Sequence, residues 1–243
     1  MPSDAPLATS FVPRRGAAAL ALLLTLPVPA IGTYLAMVAF PESGLAKGLF
    51  AVAKVWLLVA PLVWVKCVEK RPLRWPRWSN RGMLAAHATG VAIFAVIVGA
   101  YFGFARSWID TGPMLAKAGE LGFDRPMVFA VAAAWYCLVN AMLEEYFWRW
   151  FIDGRWRDAL GGGRAGAVVA AGLTALGFTA HHVIALDAYF GWAVTLLGSA
   201  GVAIGSLTWT TLYRRYGNLY AAWVSHVWAD LAVFGLGAWL IFG

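Results

Sequence analysis

The fold and the candidate site are both decided by the stretch Asn140-Ala-Met-Leu-Glu-Glu-Tyr-Phe-Trp-Arg-Trp-Phe151, where two adjacent carboxylates end a long apolar run. A charged side chain inside a bilayer costs at least about 2.5–3.5 kcal/mol on insertion scales, so two neighbouring acids require compensation. On a helix, Glu145 and Arg149 stand at i and i+4 and can pair. Glu144 is rotated by about 100° and lacks that partner. The stretch therefore predicts one anchored carboxylate and one that is free to react.

The composition of the whole chain places these acids in a membrane. The 243 residues are 61% hydrophobic and 13% charged, whereas soluble domains carry about 25% charged residues. The net charge of +7 lies mainly in short loops between apolar runs, which is the distribution of the positive-inside rule and not that of a nucleic-acid-binding surface. The two cysteines indicate neither a disulfide framework nor a thiolate zinc site. We expect a polytopic membrane protein with no nucleic-acid partner.

Apolar runs of about 20 residues, the length that a ~30 Å hydrocarbon core requires, recur along the chain. They predict an all-α transmembrane bundle of about seven spans, with the site among the fourth, fifth and last helices. The runs cover approximately residues 16–40, 47–65, 82–105, a fourth that starts near 127 and carries Glu144 and Glu145, 165–186, 189–212 and 218–243.

Basic residues between the runs set the expected orientation. The second run is followed by the strongest basic cluster of the chain, with tryptophans that are typical of the interface: Lys66, Lys70, Arg71, Arg74, Trp75, Arg77, Trp78 and Arg81. Basic loops alternate with poorly charged ones, which predicts a cytoplasmic N-terminus and an outer C-terminus. We expect one integrated membrane domain, with a cytoplasmic tail over 1–15, N-terminal spans over 16–126 and a catalytic core over 127–243.

Ionisable groups inside the spans concentrate in the C-terminal half. Glu144, Glu145 and Asp230 are the acids well inside apolar runs, and three of the four histidines lie in the same half: His181, His182 and His226. Each group is costly when isolated, and packed together they can satisfy one another. A carboxylate beside an imidazole fixes its tautomer, and a buried glutamate can take a proton from water. The constellation predicts a hydrolytic site inside the membrane.

The same residues form three ordered motifs. These are Glu144-Glu145-x-x-x-Arg149, then Phe178-x-x-x-His182, then His226-x-x-x-Asp230, with Tyr216-Gly217-Asn218-Leu219 before the third. In this order and at these separations, they resemble the signature of the CPBP intramembrane proteases (the CaaX protease and bacteriocin-processing family, also called Abi). The resemblance covers about residues 127–233, and the first three spans carry no motif.

The resemblance implies an intramembrane endopeptidase with assigned roles for these residues. Glu144 is the general base, His182 its partner, and His226 with Asp230 forms the oxyanion side, while Glu145, Arg149 and Phe178 give support. Position 230 is Asp where many relatives have Asn. Because an ionised Asp cannot donate to an oxyanion, it must be protonated or orient His226 instead. His181 is expected to contribute packing or support.

Depth in the membrane gives a further expectation. Glu144 comes late in a span running inward, whereas His182 comes late in a span running outward, so a simple layout separates them. The two residues meet if the fourth helix continues past Arg149. The sequence therefore predicts a long fourth helix that ends at the Gly161–Gly163 break.

Several alternatives remain at this point. A zinc protease would use Glu144, His182 and His226 as ligands, although no His-Glu-x-x-His helix is present and we favour a site without metal or other cofactor. A proton- or ion-coupled transporter would use the same acids and histidines as a relay, but no repeated halves are visible. A non-catalytic immunity or scaffold protein is the third. The expected partners are the bilayer and a membrane-embedded or lipid-anchored protein substrate, and the expected location is the bacterial cytoplasmic membrane.

Overall fold

The computed structural model describes residues 15–73 and 76–243. The predicted tail over 1–15 therefore lies outside the described residues except for Arg15, and so do Arg74 and Trp75 of the basic cluster. The described residues contain helices and turns and no strand. Seven of the helices are long and apolar enough to cross a membrane, which confirms the expected fold class and a multi-pass integral membrane protein.

The helices follow the predicted order. They are α1 (Arg15–Ala39), α2 (Gly44–Val68), α3 (Met83–Gly103), α4 (Gly112–Glu120), α5 (Pro126–Leu160), α6 (Gly163–Asp187), α7 (Trp192–Tyr216) and α8 (Leu219–Phe242). The short helix α4 lies between α3 and α5, in an interval that none of the predicted apolar runs covers. Helix α7 reaches Tyr216, four residues beyond the predicted end, because Arg214 and Arg215 continue its last turn before Gly217 adopts a left-handed conformation with φ of 59°.

Helix α5 is the long helix that the depth argument requires. It runs through Arg149 to Leu160 and is capped by Gly161 in the left-handed region, with φ of 81°, as predicted. Two wide π-helical turns, over Trp135–Asn140 and Tyr146–Ile152, flank the segment Ala141–Glu145. Each such turn fits an extra residue and shifts the register of the side chains that follow, and such turns recur at functional sites.

The length of α5 brings the predicted residues to one depth. Glu144 lies sixteen residues before Leu160, and His182 lies nineteen residues after Gly163. At a rise of ~1.5 Å per residue, both lie about 24–29 Å from the turn between α5 and α6. His226 comes only seven residues after the start of α8, about 10 Å along it. The α5–α6 turn therefore projects beyond the α7–α8 turn.

Ion pairs hold this projecting end of α5 in place. Asp153 is fully buried and accepts from Arg214 of α7, with one hydrogen bond of 3.0 Å from Nε. Arg155 pairs with Asp158 at 2.9 Å and also with Glu69 in the segment after α2. Helix α8 packs extensively along α3 and also along α7, and α7 packs along α6. Helix α5 packs against both α6 and α8, so the helix that carries Glu144 is in direct contact with the two that carry the predicted histidines.

Candidate active site

Glu144 lies at the centre of the polar cluster and is 5% exposed. Its Oε1 accepts a hydrogen bond of 3.0 Å from the amide of Asn140, one turn earlier on α5. Two imidazoles approach at longer distances, with Nε2 of His181 3.8 Å from Oε1 and Nε2 of His226 3.9 Å from Oε2. The carboxylate is therefore oriented on one side, while Oε2 has no direct hydrogen bond among the described residues.

The neighbouring acid is anchored, as its spacing predicts. Arg149 donates from Nε to Glu145 Oε2 at 2.9 Å and from Nη2 to Oε1 at 3.2 Å, and both side chains are fully buried. Its third donor, Nη1, reaches Ser206 of α7 at 2.9 Å. The guanidinium also lies over the Phe178 ring, 4.9 Å from the ring centre. A bidentate, fully hydrogen-bonded pair is the arrangement that compensates a buried charge.

His182 is held in one tautomer by the backbone of its own helix. Its Nδ1 lies 2.8 Å from the carbonyl oxygen of Phe178, at the predicted i, i+4 spacing. Because a carbonyl oxygen only accepts, Nδ1 carries the proton and Nε2 presents a lone pair. His182 can therefore accept a proton or bind a metal through Nε2.

His226 connects the two glutamates with the last motif. Its Nδ1 donates to Glu145 Oε1 at 2.9 Å, since an ionised carboxylate only accepts. Its Nε2 lies 3.7 Å from Asp230 Oδ1, one turn further on α8, and faces Glu144. The ring stacks on the indole of Trp209 with centres 3.8 Å apart. The side chains of α5, α7 and α8 thus fix the orientation of this imidazole.

The structure brings all the predicted residues together where α5, α6 and α8 meet. It also adds neighbours to which the sequence analysis gave no role. The amide of Asn140, the hydroxyl of Ser206 and the indole of Trp209 complete the contacts described above, and Lys54 of α2 lies with its Nζ 3.7 Å from Glu144 Oε1. A lysine in the middle of an apolar span was the available signal, because intramembrane cations are rare and usually functional.

His181 and His87 differ from each other in their relation to this cluster. The ring of His181 is stacked parallel to Trp148 at 5.8 Å, and its Nδ1 is buried with no hydrogen-bond partner among the described residues. His87 on α3 instead accepts a hydrogen bond of 3.1 Å from Trp228 Nε1. His181 thus belongs to the surroundings of Glu144, whereas His87 joins α3 to α8.

A metal-ligating set is also present, and it differs from the expected one. Glu144, His181 and His182 each offer an atom within 4.8 Å of the other two. It is the metal-ligating group found in the part of the chain that the structure describes. It contains His181 where the sequence analysis expected His226. The adjacent histidines supply two of the three ligands from a single turn of α6, and Glu144 on α5 supplies the third.

Comparison with known proteins gives one match. Residues 126–232 match the model of the family described as Rce1-like, type II CAAX prenyl endopeptidase Rce1-like. The match agrees with the resemblance to the CAAX protease (CPBP) family that the motifs indicate. The matched segment contains all three motifs, whereas Lys54 lies outside it. No curated protein and no solved structure matches the chain. The family acts on membrane-associated protein substrates and implies a peptidase within a multi-pass membrane protein.

Proposed function

We propose that this CAAX-protease-family protein hydrolyses a peptide bond of a membrane-embedded or lipid-anchored protein, using water activated by Glu144 and His182. The supporting observation is that a carboxylate oxygen of Glu144 and a ring nitrogen of His182 lie no more than 4.8 Å apart. One water that donates to two acceptors at ~2.8 Å spans about 4.5–5 Å between them. The two groups are therefore close enough for a single water molecule to contact both and to be polarised from both sides.

In the proposed reaction, Glu144 takes a proton from this water as the oxygen attacks the scissile carbonyl carbon. The carbonyl π electrons move to oxygen and form a tetrahedral oxyanion. Glu144 then returns the proton to the leaving amine as the carbon–nitrogen bond breaks, which yields a carboxylate and a free amine after the remaining proton is released. The anchored neighbour Glu145 takes no part in these transfers, because Arg149 occupies both of its oxygens.

In this proposal His226 stabilises the oxyanion. Its Nδ1–H is held by Glu145, so in the imidazolium form its Nε2–H points toward the space beside Glu144 Oε2. Asp230 lies 3.7 Å from that nitrogen. Since a carboxylate next to an imidazolium favours its charged form, Asp230 acts by sustaining this donor and needs no proton of its own. We therefore propose the orienting role for Asp230.

A zinc-dependent mechanism is the second candidate, and the cluster of Glu144, His181 and His182 favours it. Glutamate and histidine are both common zinc ligands, and a bound zinc would lower the pKa of its water. One contact opposes it. The Lys54 ammonium, 3.7 Å from the Glu144 carboxylate, repels a divalent cation at the same oxygen. We therefore favour the mechanism in which Glu144 acts as a base over one in which it acts as a ligand.

The test is cleavage by the purified protein in liposomes, with product masses as the readout. Substrates are a prenylated C-terminal peptide of CAAX type and a library of membrane-spanning peptides. We expect Glu144→Gln to reduce kcat by about 10²–10⁴-fold, the usual contribution of a general base. The matched control is Asp187→Asn on α6, an exposed acid at the end of the helix that carries His182.

A strong chelator separates the two mechanisms. Activity that persists with chelator and is lost in Glu144→Gln supports the glutamate mechanism. Activity that chelation abolishes and zinc restores assigns Glu144, His181 and His182 to a metal. Cleavage that is unchanged in Glu144→Gln contradicts both, and ion flux without cleavage in the same liposomes supports the transporter alternative.

A further inference from the structure

We propose that Lys54 is a positioning residue that holds the Glu144 carboxylate in its reactive orientation through Asn140. This inference rests on the proposed function of Glu144 as a base. It assigns a role at the site to the N-terminal half of the chain, because α2 lies outside the segment 126–232 that matches the family.

The position of Lys54 calls for an explanation. It lies in the middle of α2, ten residues after Gly44 and fourteen before Val68. An ammonium at this depth is costly, and such a group usually faces the interior of a bundle and has a partner there. Its side chain is 30% exposed and reaches α5, where its nearest acceptor is Asn140. The cation is therefore turned toward the site.

Lys54 determines which way the amide of Asn140 points. Lys54 Nζ donates to Asn140 Oδ1 at 2.8 Å. An ammonium only donates, so it must meet the oxygen of the amide and not its nitrogen. Asn140 Nδ2 is then turned toward Glu144 and donates to Oε1 at 3.0 Å. Without the cation, the amide can rotate by half a turn and present its oxygen to the carboxylate, which repels it.

The chain of contacts selects the reactive oxygen of Glu144. Oε1 is engaged by Asn140 and lies 3.7 Å from the Lys54 ammonium. Oε2 lies on the other side, 3.9 Å from His226 Nε2, which is longer than a hydrogen bond. Oε2 is consequently the oxygen available to water, on the side where the oxyanion would form.

A direct role of Lys54 in binding the substrate's terminal carboxylate fits the distances less well. Three extended residues after a cleaved bond place their carboxylate about 10 Å from the scissile carbonyl. The Lys54 ammonium is only 3.7 Å from the oxygen of the proposed base, so it lies too close to the reacting bond to meet that terminus. We therefore assign Lys54 to the base and not to the substrate.

The experiment compares steady-state cleavage by wild type with cleavage by Lys54→Met, a substitution that roughly keeps the length of the side chain and removes its charge and its hydrogen-bond donors. We expect kcat to fall about 10–100-fold, the loss that a small misplacement of a catalytic group causes, with KM within about twofold of wild type. Lys54→Arg retains a charged donor and should recover most of the activity. Lys47→Met, an exposed lysine on the same helix, is the control and should leave kcat unchanged.

A double-mutant cycle tests the route through Asn140. Lys54→Met combined with Asn140→Ala should be no slower than the slower single variant, since both remove one arrangement. In a Glu144→Gln background, Lys54→Met should cause no further loss. An unchanged kcat in Lys54→Met overturns the proposal, and a raised KM at unchanged kcat overturns it in favour of substrate binding. Full activity of Glu144→Gln itself would instead contradict the proposed function.

Discussion

The buried pair of Glu145 and Arg149 permits a quantitative prediction about stability. Arg149→Met removes a guanidinium that makes two hydrogen bonds to Glu145 and one to Ser206. The carboxylate of Glu145 is 0% exposed and, among the residues that the structure describes, would keep only His226 as a hydrogen-bond partner. Removing one partner of a buried ion pair costs about 3–5 kcal/mol, because the remaining charge stays desolvated. We expect this loss in the free energy of unfolding.

Arg157→Met on the same helix is the matched control. Arg157 also pairs with an acid at i−4, Asp153, at 3.5 Å, but its side chain is 44% exposed. Such exposed pairs contribute about 0–1 kcal/mol, and Asp153 retains Arg214. The losses in the free energy of unfolding caused by Arg149→Met and Arg157→Met should therefore differ by at least about 2 kcal/mol, although the chemical change is the same and the sites are eight residues apart. This difference is more than tenfold in the unfolding equilibrium.

The assay is reversible unfolding in mixed micelles, with sodium dodecyl sulfate as denaturant and far-ultraviolet circular dichroism as the readout. Adding Glu145→Gln to Arg149→Met removes the isolated charge and should restore part of the lost stability. Equal losses in Arg149→Met and Arg157→Met would show that burial of the pair has no energetic consequence, and the reasoning would then be wrong.

Two further predictions concern helix packing and capping, measured in the same assay. Gly90→Ala should lower the free energy of unfolding by about 1–3 kcal/mol, because its new methyl group would collide with the Trp228 side chain. The control is Gly99→Ala on the same helix, whose methyl group meets nothing within 4 Å and should not destabilise the protein. Asn218→Ala should cost about 2 kcal/mol, because Asn218 caps α8 and donates two hydrogen bonds of 2.8 Å to the loop before α3. Asn218→Ser keeps a capping oxygen and should lose less, and an equal loss would contradict the capping contribution.

Much of this architecture was readable because it depends on local spacing. The spans follow from the length of each apolar run, and the pairing of Glu145 with Arg149 follows from one turn of one helix. The end of α5 follows from the glycines after Leu160, since Gly161 takes the left-handed conformation that stops a helix. The ordered motifs also indicated the family that the comparison confirms for residues 126–232.

The sequence by itself therefore determined the spans, the family and the residues that had to be compensated in the membrane. Tertiary structure alone decided which of them meet across helices. Lys54 is 86 positions from Asn140 in the chain, so no periodicity connects them. The presence of His181 and not His226 in the metal-ligating set depends on how α5, α6 and α8 pack together. The π-helical turns on either side of Glu144 insert residues into the helix and so change the direction in which the following side chains point. A helix face predicted from the 3.6-residue period does not include this change.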